Sequence, residues 1–151
     1  LAKTNLDVGT GSLRGHKPML QEGILRMDIQ KTEFNLKILD VVGDVEHLPF
    51  KNGSFSNVYA RHVLEHTNNP YRAFDELLRV ASKFLVVSVP HILSKVARQD
   101  SKLPHDEHKH IFRKKWFQQA LGHHGFSSIV NRESWFMFLN RPYEIEVTIW
   151  K

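Results

Sequence analysis

Near the start of the chain, Leu6-Asp7-Val8-Gly9-Thr10-Gly11 follows a short lead, Thr4-Asn5, and no other stretch narrows the possible folds as far. Glycine has no Cβ, so the backbone here can turn tightly out of a strand and approach a bound molecule closely. An acid near a strand end followed by Gly-x-Gly suits a nucleotide-type ligand, because such a turn aims backbone N–H groups at it. Small glycine turns are common, so the signal gains its weight from the rest of the chain.

Downstream, strand and helix signals alternate, with glycine, proline and asparagine between them. The first strand is expected at Thr4 to Val8. Arg14 to Glu22 reads as a short helix interrupted by Pro18. Ile24 to Ile29 reads as a second strand and Leu36 to Val42 as a third. The connection Gln30 to Asn35 is shorter than a full helical crossover requires, so a truncated or missing helix is expected there. Phe55 to Ala60 is the fourth strand. Asn69 then stands as an N-cap with Pro70 at the first helical position, and Tyr71, Phe74, Leu77, Leu78 and Ala81 recur at helical spacing. Phe84 to Pro90 is almost continuously apolar, as in a central parallel strand. Lys114 to Gly122 reads as a helix with Trp116, Phe117, Ala120 and Leu121 inward. A sixth strand opens at Ser127 to Val130. Tyr143 to Trp150 alternates with period two as a last strand, with Asn140-Arg141-Pro142 as the turn into an antiparallel pair. The expected fold is a doubly wound α/β, mostly parallel Rossmann-like sheet with an antiparallel final strand, in one domain over residues 1–151.

Composition closes off several classes. The chain has no cysteine, which removes disulfides, thiolate metal sites and cysteine nucleophiles and accords with a cytoplasmic protein. No run of eighteen apolar residues is present, so no membrane span is expected. The net charge of +5 permits an anionic partner such as nucleic acid without requiring one.

In a doubly wound sheet the ligand lies over the carboxyl ends of the strands. Three acids fall there: Asp7 by the first strand's end, Asp28 ending the second and Asp44 following the third. Asp28 follows Gly11 by roughly the interval expected of a carboxylate that binds ribose hydroxyls, and a carboxylate can accept both hydrogens of a cis-diol.

From Gly43-Asp44-Val45-Glu46-His47-Leu48-Pro49-Phe50, through Ser54-Phe55 to Val63-Leu64-Glu65-His66, then Pro70, Phe74, Glu76-Leu77, Arg79-Val80 and Ser88-Val89-Pro90, the chain resembles the class I S-adenosylmethionine-dependent methyltransferases. The resemblance covers Leu6 to Pro90, and more loosely His110 to Phe126. It implies S-adenosylmethionine as cofactor and an acceptor it does not identify. It implies that Asp7, Gly9, Thr10 and Gly11 hold the methionine part, Asp28 and Ile29 the ribose side, and Asp44 and Val45 the adenine. Arg61 and His62 would border the sulfonium and the acceptor. Two departures stand out: Leu13 replaces the family's usual third glycine, and almost nothing precedes Leu6, so cover helices are expected to be lacking and the cofactor to be more open or covered by a partner subunit.

Other candidates have two readings each. His62, at a strand's carboxyl end, is the candidate catalytic base; His66 is either a base or a structural residue satisfying nearby backbone. His105, His108 and His110, with Asp106 and Glu107, are assigned to the substrate side, and no metal is expected. Lys109, Arg113, Lys114 and Lys115 beside Phe112, Trp116 and Phe117 suit RNA, but a helix with an apolar inner and basic outer face is favoured. Trp135, Phe136, Phe138 and Leu139, placed in the connection to the last strand, are either core or the contact of a homodimer. The functional expectation is methyl transfer. A non-catalytic cofactor-binding module and a nicotinamide-dependent oxidoreductase are the alternatives.

Overall fold

A computed structural model describes residues 4–10, 22–32, 35, 37–92, 108–124, 129–136 and 141–151, with the backbone alone over 129–136 and 141–143. The strands are β1 (Asn5–Val8), β2 (Ile24–Asp28), β3 (Val41–Val42), β4 (Phe55–Arg61), β5 (Ala81–Pro90), β6 (Ile129–Phe136) and β7 (Arg141–Trp150). The helices are α1 (Pro70–Val80) and α2 (Lys114–Gly122), with single 3-10 turns at Val45–His47 and Leu64–His66. One sheet has the order β3-β2-β1-β4-β5-β7-β6. The first five strands pair in parallel, and β7 enters antiparallel between β5 and β6.

Register divides the sheet into two chemically different faces, because residues in register project to the same side. Leu6 pairs with Val58, Val8 with Ala60, Val58 with Leu85 and Leu85 with Ile149, and all of these are buried. The opposite set runs Asp28, Arg26, Asp7, Tyr59 and Arg61, then Ser88, Glu146 and Glu144. A period-two alternation thus sorts apolar from polar chemistry across five strands.

Helix α1 packs on β4 and β5. Asn69 caps it by accepting from Arg72 N at 3.1 Å, and Pro70 occupies the position where a missing N–H costs nothing. Its inner face buries Ala73, Phe74, Leu77 and Leu78. Full burial of Phe74 and Leu77 contributes about 1.5–3 kcal/mol each. Helix α2 lies beside it through edge-to-face packing of Phe74 on Phe117 (5.9 Å) and on Trp116 (5.6 Å). Phe112 and Phe117 are core residues while Arg113, Lys114 and Lys115 are exposed, the inner and outer faces expected of this helix.

Two charged side chains fasten the loop after β3 to α1. Glu46 Oε1 accepts from Asn68 N at 2.6 Å and Asn69 N at 3.1 Å. Arg79 donates to Leu48 O, Phe50 O and Asn52 Oδ1 while gripping both oxygens of Glu76.

Three expectations need correction. The third strand is two residues long, not Leu36 to Val42, because Asn35 organises a turn there. Its side chain accepts from Thr32 N and donates to Gln30 O, and its carbonyl accepts from Ile38 N and Leu39 N. Trp135 and Phe136 belong to β6, in register with Pro142 and Arg141, so they are not in a connection. Arg141 and Pro142 open β7 and are not the turn before it. The expected helix at Arg14 to Glu22 lies almost wholly outside the described residues, as do Phe138 and Leu139. Among the described residues of the β2–β3 connection there is no helix.

Candidate active site at the carboxyl edge of the sheet

The polar face ends, at its carboxyl edge, in the residues singled out from the sequence. Asp7 is 3% exposed in the centre of the sheet, in register with Tyr59. Burial first, and the Asp7 charge second, raise the Tyr59 hydroxyl above its usual pKa, so it keeps its proton. Gly9 adopts φ +76°, and a Cβ there would collide with the Val63 side chain. Glycine is therefore required at this position by the protein's own packing, before any ligand is considered. The loop folds back on β2: Gly9 N donates to Met27 O at 2.9 Å, and the Thr10 hydroxyl lies 3.2 Å from both Asp7 O and Met27 O. The Gly9 amide is thus spent on the sheet and not aimed outward. Gly11 lies outside the described residues.

Asp28, the last residue of β2, holds its neighbour's amide, Ile29 N to Oδ1, at 2.7 Å. Ile29 is 68% exposed, an apolar side chain standing in the open beside a carboxylate. Asp44 follows β3, caps the Val45–His47 turn through Glu46 N at 2.9 Å and leaves its side chain partly exposed. Val45 is buried in the core. Adjacent strands thus deliver Asp28 and Asp44 to one edge with Ile29 between the carboxylates in chain order. The donor set has the chemistry a nucleoside needs: a carboxylate able to accept from a diol and a second acid able to accept from a base amine.

At the ends of β4 and β7 the chemistry is ionic. Arg61 closes β4, in register with Ser88. His62 follows with φ +54°, a left-handed conformation that costs a non-glycine residue energy and concentrates at functional sites. Its amide donates to Ser88 O at 2.9 Å. The ring lies between two carboxylates, with Nδ1 3.2 Å from Glu65 Oε1 and Nε2 3.7 Å from Glu144 Oε2. The second separation is too long for a hydrogen bond and acts through charge. Burial alone would lower the His62 pKa; Glu144 and Glu65 outweigh it and push it up to about 9. At neutral pH the ring therefore holds its proton as an imidazolium between two carboxylates.

The segment before α2 docks against this edge. Glu65 O accepts from Lys109 N at 2.7 Å and His110 N at 3.2 Å, and the His110 ring nitrogen lies 2.9 Å from Thr67 O. His91 bridges to Phe112 as a short parallel extension of β5. The His66 and His108 rings meet edge to face, with centroids 5.0 Å apart. His105 lies outside the described residues. Sequence reasoning missed Glu65 and Glu144 as site residues. The period-two pattern of β7 places Glu144 on the polar face, but only the strand order brings it to His62.

A family described as "Methyltransferase domain" matches residues 6–83, just over half of the chain. Among curated proteins none matches in sequence. Solved structures do match. An S-adenosylmethionine-dependent methyltransferase from Archaeoglobus fulgidus superposes with TM-score 0.71 at 15% identity, covering 99% of this chain and 86% of that one. One from Mesorhizobium loti has TM-score 0.67 at 14% identity, covering 100% and 94%. The [4+2]-cyclase SpnF has TM-score 0.66 at 18% identity, covering 99% and 74%. At these identities the likeness concerns the fold alone.

Proposed function

Since the chain belongs to the methyltransferase-domain family, we propose that it binds S-adenosylmethionine and transfers its methyl group to an acceptor that is a small molecule, a protein or an RNA. The observation that carries this reading is the delivery of Asp28 and Asp44 by adjacent strands to the edge where doubly wound sheets take their ligands. Asp28 and Ile29 would hold the ribose side and Asp44 the adenine. Asp7, Gly9, Thr10 and Gly11 would hold the methionine part, with Arg61 beside it. Val45 supports the adenine side from the core. The cofactor supplies an activated methyl on a sulfonium, a leaving group that needs no acid. The chain's own task is then positioning and exclusion of water.

His62 and Glu144 border the acceptor in this proposal. An imidazolium cannot take a proton, so His62 acts at neutral pH by holding Glu144 and Glu65 in place, and Glu144 is the group able to accept one. His105, His108 and His110 are assigned to the acceptor side. The aromatics beside the basic residues of α2 face the core, which favours an acceptor other than nucleic acid. No described helix is long and apolar enough to cross a membrane, and the cysteine-free composition suits the cytoplasm.

The second reading is a non-catalytic cofactor-binding module, favoured by the locking of His62 in its ion pairs. A nicotinamide-dependent oxidoreductase fits less well, since dinucleotide-binding sheets run parallel in the order 3-2-1-4-5-6, without an antiparallel strand between the last two. Incubation with methyl-labelled S-adenosylmethionine and pools of small molecules, proteins and RNA separates these readings. Transfer of label to one pool, reduced in Glu144→Gln, is the expected result. Cofactor binding without transfer to any pool supports the module, and binding of NAD in its place supports the oxidoreductase.

A further inference from the structure

The Leu64–His66 turn and the segment entering α2 meet in a cluster beside the proposed acceptor side, which takes on a further role here. One ligand-type atom from each of Glu65, His66 and His108 lies within 4.8 Å of the other two. Glu65 is 1% exposed, and neither carboxylate oxygen accepts a hydrogen bond of good geometry, although Oε1 faces the His62 ring at 3.2 Å. A buried carboxylate with unfilled acceptor capacity is costly unless a cation or donor meets it. The two histidines are partly buried, with a ring separation of 5.0 Å.

The cluster is held together by backbone. Residues 65 and 108 come from segments more than forty positions apart, joined by the bonds from Lys109 N and His110 N to Glu65 O. Two side-chain contacts reinforce them, His110 to Thr67 O and Lys109 Nζ to Asn68 Oδ1 at 2.8 Å. The latter bond directs the neighbouring ammonium to Asn68. The three groups are therefore placed by a scaffold of contacts independent of the groups themselves, as a binding site requires.

We propose that Glu65, His66 and His108 form a binding site for a divalent first-row transition ion, with zinc as the reference ion. Two imidazoles and one carboxylate suit zinc, cobalt or manganese, whereas magnesium and calcium prefer oxygen alone. Bonds of about 2.1 Å in a tetrahedron set ligand atoms roughly 3.4 Å apart, so loading draws together any pair that stands wider than this. Glu65 can offer one oxygen to the ion while the other keeps His62, the kind of outer contact that orients a metal ligand. Three protein ligands leave a position for water or an oxygen of a bound molecule. His108 stands near His105 and His110 in the sequence, and the fold also sets it beside Glu65 and His66.

The site is tested without S-adenosylmethionine, so its failure leaves the methyl-transfer reading untouched. Chelator-treated protein is titrated with zinc by calorimetry and with cobalt by visible absorption. The expected result is one saturable zinc equivalent and a cobalt ligand-field band. Both weaken about a hundredfold in His66→Ala and in His108→Ala and are unchanged in His123→Ala, which removes an exposed histidine elsewhere. If His66→Ala fails to fold, His108→Ala alone decides. Absence of saturable zinc uptake, or uptake that the folded variants retain at parental strength, overturns the proposal. Magnesium binding as tightly as zinc, lost in the same variants, overturns the choice of a transition ion.

Discussion

Individual residues in this chain are constrained by the protein before they are constrained by a ligand. Gly9 shows this most clearly. Its φ of +76° excludes comfortable substitution, and the Val63 side chain occupies the place of its missing Cβ. Gly9→Ala is therefore expected to lower stability by about 1–3 kcal/mol, part from the left-handed backbone and part from the collision. Chemical denaturation of Gly9→Ala against the double variant Gly9→Ala, Val63→Ala separates the shares. The pair should be less destabilised than the sum of its single changes. Strict additivity would mean that the two residues do not meet. The glycine motif was legible in the sequence, but its reason was not: spacing shows that glycine is needed and cannot show that Val63 is the cause. His62 is similar. Its place at the end of β4 was readable, whereas its charge depends on Glu144, eighty-two positions away, and so on strand order.

At the scale of elements, the Arg79–Glu76 pair ties the 48–52 loop to α1. Arg79 donates to two loop carbonyls, and Glu76 accepts from Leu48 N at 2.8 Å. The hydrogen bond from Arg79, outweighing partial burial, holds the Glu76 pKa below the usual glutamate range. A depressed carboxylate pKa contributes stability at pH values above the unfolded-state pKa, and that contribution disappears as pH falls through the folded-state pKa. Glu76→Gln should therefore cost about 1–2 kcal/mol at neutral pH, with the gap to the parent closing in acid. Thermal melts across the acid range measure this. A gap that stays constant with pH would show that the carboxylate's charge is not what matters. The start of α1 and both ends of α2 were legible because Asn69, Pro70 and the inward aromatics are local signals, whereas Ala81, read at helical spacing, opens β5. The third strand was misjudged because Asn35 turns an apolar run into a turn through hydrogen bonds that hydrophobic patterning does not register.

For the whole molecule, the two-faced sheet organises everything else. Apolar residues meet α1 on one side, and the acids, Arg61 and Glu144 share the other. Strand β6 ends the sheet, and an edge strand offers unpaired backbone groups to a second chain. We propose a homodimer that uses this edge. Sedimentation at micromolar concentration should give a dimer that Trp135→Ser converts to a folded monomer; a monomeric parent would end the idea. In the proposed function the carboxyl edge of the polar face holds an adenosine through Asp28. Calorimetric titration with S-adenosylmethionine tests it most directly, using the parent and a folded Asp28→Ala variant. The expected result is saturable binding by the parent, weakened by about 1.5–3 kcal/mol in the variant. Equal affinity in the two proteins, or no binding by the parent, would contradict it.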